Sequence, residues 1–166
     1  MTVKRVTTLG ILVAVAMVLS FVESQIPLPL PVPGVKLGLA NIAVIFTLYR
    51  LGAPEAAGVS LVRVLLVSLL FGTLPAFLYS VSGAVVSFLA MCLLRRCGRF
   101  SAVGVSVAGG VFHNLGQLAA VALVMGTSSL LWYFPVLLVS GTLAGVAVGL
   151  LSALLIRKIP GGSGEK

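Results

Sequence analysis

Six membrane-spanning helices, packed as one all-α polytopic domain over residues 1–166, are expected from three features of this chain. It is 60% hydrophobic and only 8% charged, where an ordinary soluble domain carries roughly 25% charged residues. Apolar runs long enough to cross a bilayer, about 17–25 residues, recur along it. Those runs are continuous rather than alternating, which is the pattern of helices and not of a membrane β-barrel.

The first run, 6–22, follows Lys4 and Arg5. It is long, and Glu23, Ser24, Gln25 and then prolines follow it instead of a small-residue cleavage site, so it reads as a span and not a signal peptide. Residues 23–36 form a Pro-rich outer loop, with prolines at 27, 29, 31 and 33 in "IPLPLPVPGVK". Each proline fixes its own φ and pushes the preceding residue into extended backbone, which excludes a helix here. A short second span, 37–51, comes next. The third, 54–71, is set off by Gly52-Ala53-Pro54, and the fourth, 75–94, by Gly72-Thr73-Leu74-Pro75. An Arg-rich run, 95–101, precedes the fifth span at 102–125, and Gly126-Thr127-Ser128-Ser129 precedes the sixth at 133–156. The closing "PGGSGEK" is expected to be a flexible tail.

In a soluble protein the formal charge of +8 would point to nucleic acid. Its placement points to topology instead. Lys4, Arg5, Arg50, Arg95, Arg96, Arg99, Arg157, Lys158 and Lys166 fall on one side of a six-span arrangement, and only Lys36 falls on the other. The positive-inside rule then predicts that both termini are cytoplasmic.

The remaining cation, Arg63, lies near the middle of the third span. A charge at that depth is expensive and faces a bundle interior, a partner or water. Glu23 is the acid that could reach it from the outer side, because Glu55 begins the third span and Glu165 is in the tail. At similar depth the fifth span carries "GGVFHNLGQL", 109–118. His113 and Gln117 are four apart and share a face, with Gly110 one turn before and Asn114 one position round. Glycines at 109, 110 and 116 let a backbone or a ligand come close. Singly, each polar residue would be an interhelical hydrogen bond; with Arg63 they suggest a site.

Above this depth the alternating prolines lower the number of backbone donors that need partners, and they favour a semi-rigid lid. An ordinary extended loop is the alternative. Lys36 and the N-terminus of the short second span would point beneath the lid, where a helix N-terminus favours anions. Asn41 would sit just below. The predicted binding residues are thus Glu23, Gln25, Lys36, Asn41, Arg63, His113, Asn114 and Gln117. Cationic groups outnumber anionic ones, which suggests a ligand with a phosphate, a carboxylate or a strongly polar ring.

Several chemistries are disfavoured. Cys92 and Cys97 are the two cysteines and the one histidine is far away, so no metal site is expected. There is no aspartate, and the glutamates at 23, 55 and 165 are scattered, so no oxygen cluster for Mg²⁺ and no catalytic triad can be assembled. No Gly-rich phosphate loop of the ATPase type occurs. No catalytic residue or cofactor is assigned, and the chain is not expected to be an enzyme by itself.

"PGVKLGLANI" (33–42), the intramembrane Arg63, "SGAVVS" (82–87) and "GGVFHNLGQL" together resemble the Gx transporter family, also labelled heptaprenyl diphosphate synthase component I. The resemblance covers essentially the whole chain. That family is similar to the S components of energy-coupling factor transporters. It implies an S-component-like bundle with a small-molecule pocket opening outward under the loop between the first two helices. It also implies that small residues four apart on the first helix pack on a membrane coupling subunit carrying ATPases; Gly10 and Ala14 have that spacing. The leading expectation is the substrate-binding subunit of an uptake system in a bacterial cytoplasmic membrane, for a vitamin-like or cofactor-precursor ligand. The alternative is a non-catalytic membrane partner of a soluble prenyltransferase or redox protein, in heptaprenyl diphosphate, quinone or flavin-dependent electron-transfer metabolism. A structural scaffold is the third. Known helical prenyl synthases hold Mg²⁺ on aspartate-rich motifs, which this chain lacks.

Overall fold

The computed structural model describes residues 3–26, 38–126 and 132–159. Among them are six helices and no strand: α1 Val3–Ser24, α2 Asn41–Arg50, α3 Ala53–Phe71, α4 Leu74–Cys97, α5 Ala102–Met125 and α6 Phe134–Lys158. All except α2 are long and apolar enough to cross a membrane, and the chain is a multi-pass membrane protein. Large side chains such as Leu69 (80% exposed) and Leu123 (84%) point outward. In water such a surface would be an aggregation hazard; in a bilayer it is the lipid contact.

The helix ends follow the local chemistry. Thr73 and Ser101 cap α4 and α5, their hydroxyls accepting from the N–H groups of Ala76 (3.4 Å) and Gly104 (3.2 Å). α3, α4 and α6 each carry a proline in the first turn, where its missing N–H costs nothing. α1 starts earlier than the apolar run implies and takes in Lys4 and Arg5.

The largest departure from expectation is α2. The apolar run suggests a span from about residue 37, yet the helix begins at Asn41. Gly38 adopts φ +74°, a left-handed conformation that glycine enters without a Cβ penalty. A turn follows, with the Asn41 N–H donating to the Gly38 carbonyl at 2.8 Å. Ten residues of helix span about 15 Å, half of a hydrocarbon core of about 30 Å. Ile42, Ala43, Val44, Ile45, Thr47 and Leu48 are all buried. This short helix packs against α1, α3 and α6 and forms the middle of the main core, while α5 lies between α4 and α6.

Most charges gather at one end of the bundle. Arg5 pairs with Glu55. Arg50 donates to the carbonyl oxygens of Ile156 and Ile159, holding the last turn of α6. The Arg95 guanidinium lies over the Tyr49 ring at 5.2 Å, a cation–π contact. Together these contacts bring the starts of α1 and α3 to the ends of α2, α4 and α6. Arg5, Arg50, Glu55 and Arg95 thus share one end of the bundle. The four prolines, Lys36 and the tail from Pro160 lie outside the described residues.

Candidate functional site

Toward the other end of the bundle, two cavities meet at Arg63. The smaller, about 40 Å³, is bordered by Glu23, Asn41, Arg63, Ser106, His113 and Asn114. A water needs at least about 10–15 Å³ of such space, so this cavity has room for water and not for a vitamin-sized molecule. The larger, about 190 Å³, shares Glu23, Arg63 and His113 with the first and adds Ser20, Ser24, Ser68 and Ser80. The three shared side chains stand between the two spaces.

Arg63 projects from the middle of α3, and its Nε is buried with no hydrogen-bond partner among the described residues. Glu23, near the end of α1, is buried and accepts the Gly38 N–H at 2.6 Å. No ion pair joins Glu23 to Arg63; the ion pair among the described residues is Arg5–Glu55. The salt bridge that would have explained Arg63 structurally is not formed. A buried donor left unsatisfied costs about 1–3 kcal/mol, and more on a charged group.

The remaining predicted residues divide. Asn41, as the first residue of α2, borders the smaller cavity, and His113 borders both. Asn114 borders the smaller cavity as well, but its amide is used on α6: Nδ2 donates to the Leu137 carbonyl at 2.8 Å and lies 3.5 Å from Ser140 Oγ. Gln117 lies against α4, away from both cavity walls. A Cβ placed on Gly83 would come within 2.7 Å of Gln117 Cγ and 3.1 Å of His113 Cε1. Gly83 is thus the gap in α4 that receives these two side chains. Ser82 Oγ and Ser87 Oγ donate to the carbonyls of Gly116 (2.9 Å) and Gly109 (2.8 Å). The "SGAVVS" and "GGVFHNLGQL" stretches are two halves of one α4–α5 contact.

Gln25 is exposed past the end of α1, with Nε2 donating to Ser24 Oγ at 3.3 Å, and is not brought to the cavities. Lys36 lies outside the described residues. Gly10 and Ala14 are on the exposed face of α1, where Gly10 borders an apolar groove that Gly58 of α3 also lines. Among the described residues no three of His, Cys, Asp and Glu come together, and Cys92 and Cys97 are free thiols.

Sequence reasoning passed over the serines. Ser20, Glu23 and Ser24 stand at i, i+3 and i+4, a polar stripe closing an otherwise apolar helix, and that spacing is the signal that could have found them. Ser68 and Ser80 carry no comparable mark.

No curated protein and no solved structure matches the chain. A family match, in contrast, runs through nearly all of it, from the third turn of α1 to the last turn of α6. It takes in both cavities and every predicted site residue except Gly10. Over residues 12–155, the chain belongs to the heptaprenyl diphosphate synthase component I family.

Proposed function

We propose that this chain is a non-catalytic membrane subunit that binds a polar small molecule in the paired cavities around Arg63. The observation that carries this reading is Arg63, whose buried Nε has no hydrogen-bond partner among the described residues and whose side chain borders both cavities together with Glu23 and His113. A hydrogen bond from a charged donor contributes about 1.5–3 kcal/mol, more than a neutral one. A ligand acceptor at Arg63 therefore answers both the orphan donor and the void. The basic end of the bundle faces the bacterial cytoplasm by the positive-inside rule, which puts the cavities toward the outer side. That orientation supports uptake of a vitamin-like or cofactor-precursor molecule, with movement driven by a coupling partner that supplies ATPases. The lack of aspartate supports the non-catalytic assignment.

A second reading is favoured by the family description. Here the chain is the membrane-bound companion of a soluble prenyl-elongating enzyme, and the charged end of the bundle is the docking face.

Native mass spectrometry of detergent-purified protein separates the two. The first reading expects a small molecule released from the wild type and absent from Arg63→Ala, with Arg63→Lys intermediate and all three monodisperse. An empty wild type that copurifies with an aspartate-rich enzyme would replace the first reading with the second.

A further inference from the structure

Next to the larger cavity runs the seam between α3 and α4. There the two helices enclose an apolar furrow of about 220 Å³, bordered by Ala57, Ser60 and Val64 of α3 and Val81, Ala84 and Phe88 of α4. Val64 borders both spaces, and Ser80 of the cavity immediately precedes Val81 of the furrow. From Ala57 to Ser68 the seam runs about 17 Å along α3. Its chemistry changes on the way from a lining that is apolar except for Ser60 to serine, carboxylate and guanidinium. The furrow is open sideways to the membrane, since Leu61 and Val85 on its rims are 55% and 52% exposed.

The charge inventory narrows the head group. Among the described residues, Arg63 and Glu23 are the charged side chains that border this space, and their formal charges cancel. A diphosphate would bring at least two negative charges to one arginine and one opposing carboxylate, and uncompensated buried charge is strongly unfavourable. The unused groups are donors: Arg63 Nε and the buried Ser20 hydroxyl, neither with a hydrogen-bond partner among the described residues. An uncharged acceptor such as a carbonyl oxygen satisfies them without disturbing the balance. A single furrow between two helices takes one chain and not two.

We infer that the site takes an uncharged amphiphile that enters from the bilayer: a carbonyl-bearing ring against Arg63 and Ser20, and one apolar chain lying in the α3–α4 furrow. This rests on the reading that the Arg63 cavities bind a ligand, and it specifies the ligand's class and its route.

The test uses the full chain in lipid nanodiscs and a benzoquinone probe bearing a decyl chain with a photoreactive diazirine near the chain's middle. Crosslinks are mapped by peptide mass spectrometry. The expected result is labelling concentrated on 57–64 and 81–88. It falls at least fivefold in Ala84→Phe, which fills the furrow, and is unchanged in Leu93→Phe, which is outward-facing and off the seam. An excess of unlabelled decyl-benzoquinone competes, while farnesyl diphosphate and phosphatidylglycerol do not. Labelling spread over lipid-facing positions such as Leu69, Leu123 and Leu143 would overturn the inference, as would competition by farnesyl diphosphate or phosphatidylglycerol alone. Those outcomes leave the pocket itself standing if native mass spectrometry still releases a small molecule from the wild type. Loss of that molecule as well would sink both.

Discussion

The contact between α5 and α6 is where one added methyl group should matter most, and the matched pair Gly145→Ala and Gly58→Ala tests it. Alanine is favoured over glycine in a helix by about 1 kcal/mol, so both substitutions gain the same intrinsic amount. Their surroundings differ. At Gly145 a Cβ would lie 2.5 Å from Val107 Cα, 3.0 Å from the Ser106 carbonyl oxygen and 3.1 Å from Val107 N. These are backbone atoms that cannot rotate aside, so α5 and α6 must separate. Overpacking of this kind costs about 1–3 kcal/mol and exceeds the propensity gain. At Gly58 nothing lies within 4 Å, and the gain is kept. The two variants should therefore differ by about 2 kcal/mol with opposite signs relative to the wild type. At roughly 2–4 °C per kcal/mol for a chain of this size, the gap is about 4–8 °C in Tm. Thermal unfolding in one detergent, followed by tryptophan fluorescence and circular dichroism, measures it. A Gly145→Ala protein as stable as Gly58→Ala would refute the close α5–α6 approach.

Three further outcomes follow from single contacts. Asn114→Leu removes the bond to the Leu137 carbonyl; interhelical bonds in membranes average about 0.6 kcal/mol and reach about 1.7, so the loss of stability should be smaller than that of Gly145→Ala in the same melts. Arg50→Gln frees the carbonyls of Ile156 and Ile159 and should cost about 1–3 kcal/mol, with faster amide exchange confined to the last turn of α6 in hydrogen-exchange mass spectrometry. Gly83→Ala puts a Cβ into the space of His113 and Gln117; retention of the ligand seen in native spectra should fall at least fivefold while that of Gly58→Ala stays near wild type.

Length and apolarity made five of the six helices legible to within a few residues, because a span long enough for a bilayer has little freedom in where it starts. α2 was less so. Hydropathy reads Leu37 and Leu39 as span, and it cannot register that Gly38 between them turns the backbone to positive φ. Arg63 could be placed by depth alone, and His113 by depth plus its helical stripe. Gln117 shares that stripe, yet helical spacing sets only the direction a side chain leaves its own helix. What it meets depends on the neighbour, and here the neighbour is Gly83 of α4. Asn114 was visible as a polar midplane residue, but its commitment to Leu137 depends on the α5–α6 approach, which is a property of two helices and not of either one. The clustering of charge came through best, since Arg5, Arg50, Glu55 and Arg95 all sit at helix ends, where sequence position and height in the bundle nearly coincide.

The shortness of α2 also bears on how the protein is made. Membrane insertion machinery admits segments largely on their own apolar length, and ten residues bounded by Asn41 and Arg50 fall well short of the about 20 that suffice. α2 must instead be drawn in by helices able to cover it. One of these, α6, follows the other five described helices in the chain, and Arg50 closes on its final turn. The central core around Ile45 and Leu48 is therefore completed only after α6 has been made. Until then α2 lacks the cover that α6 gives it, and a chain cut short before α6 would leave one apolar face of this short helix without its partner.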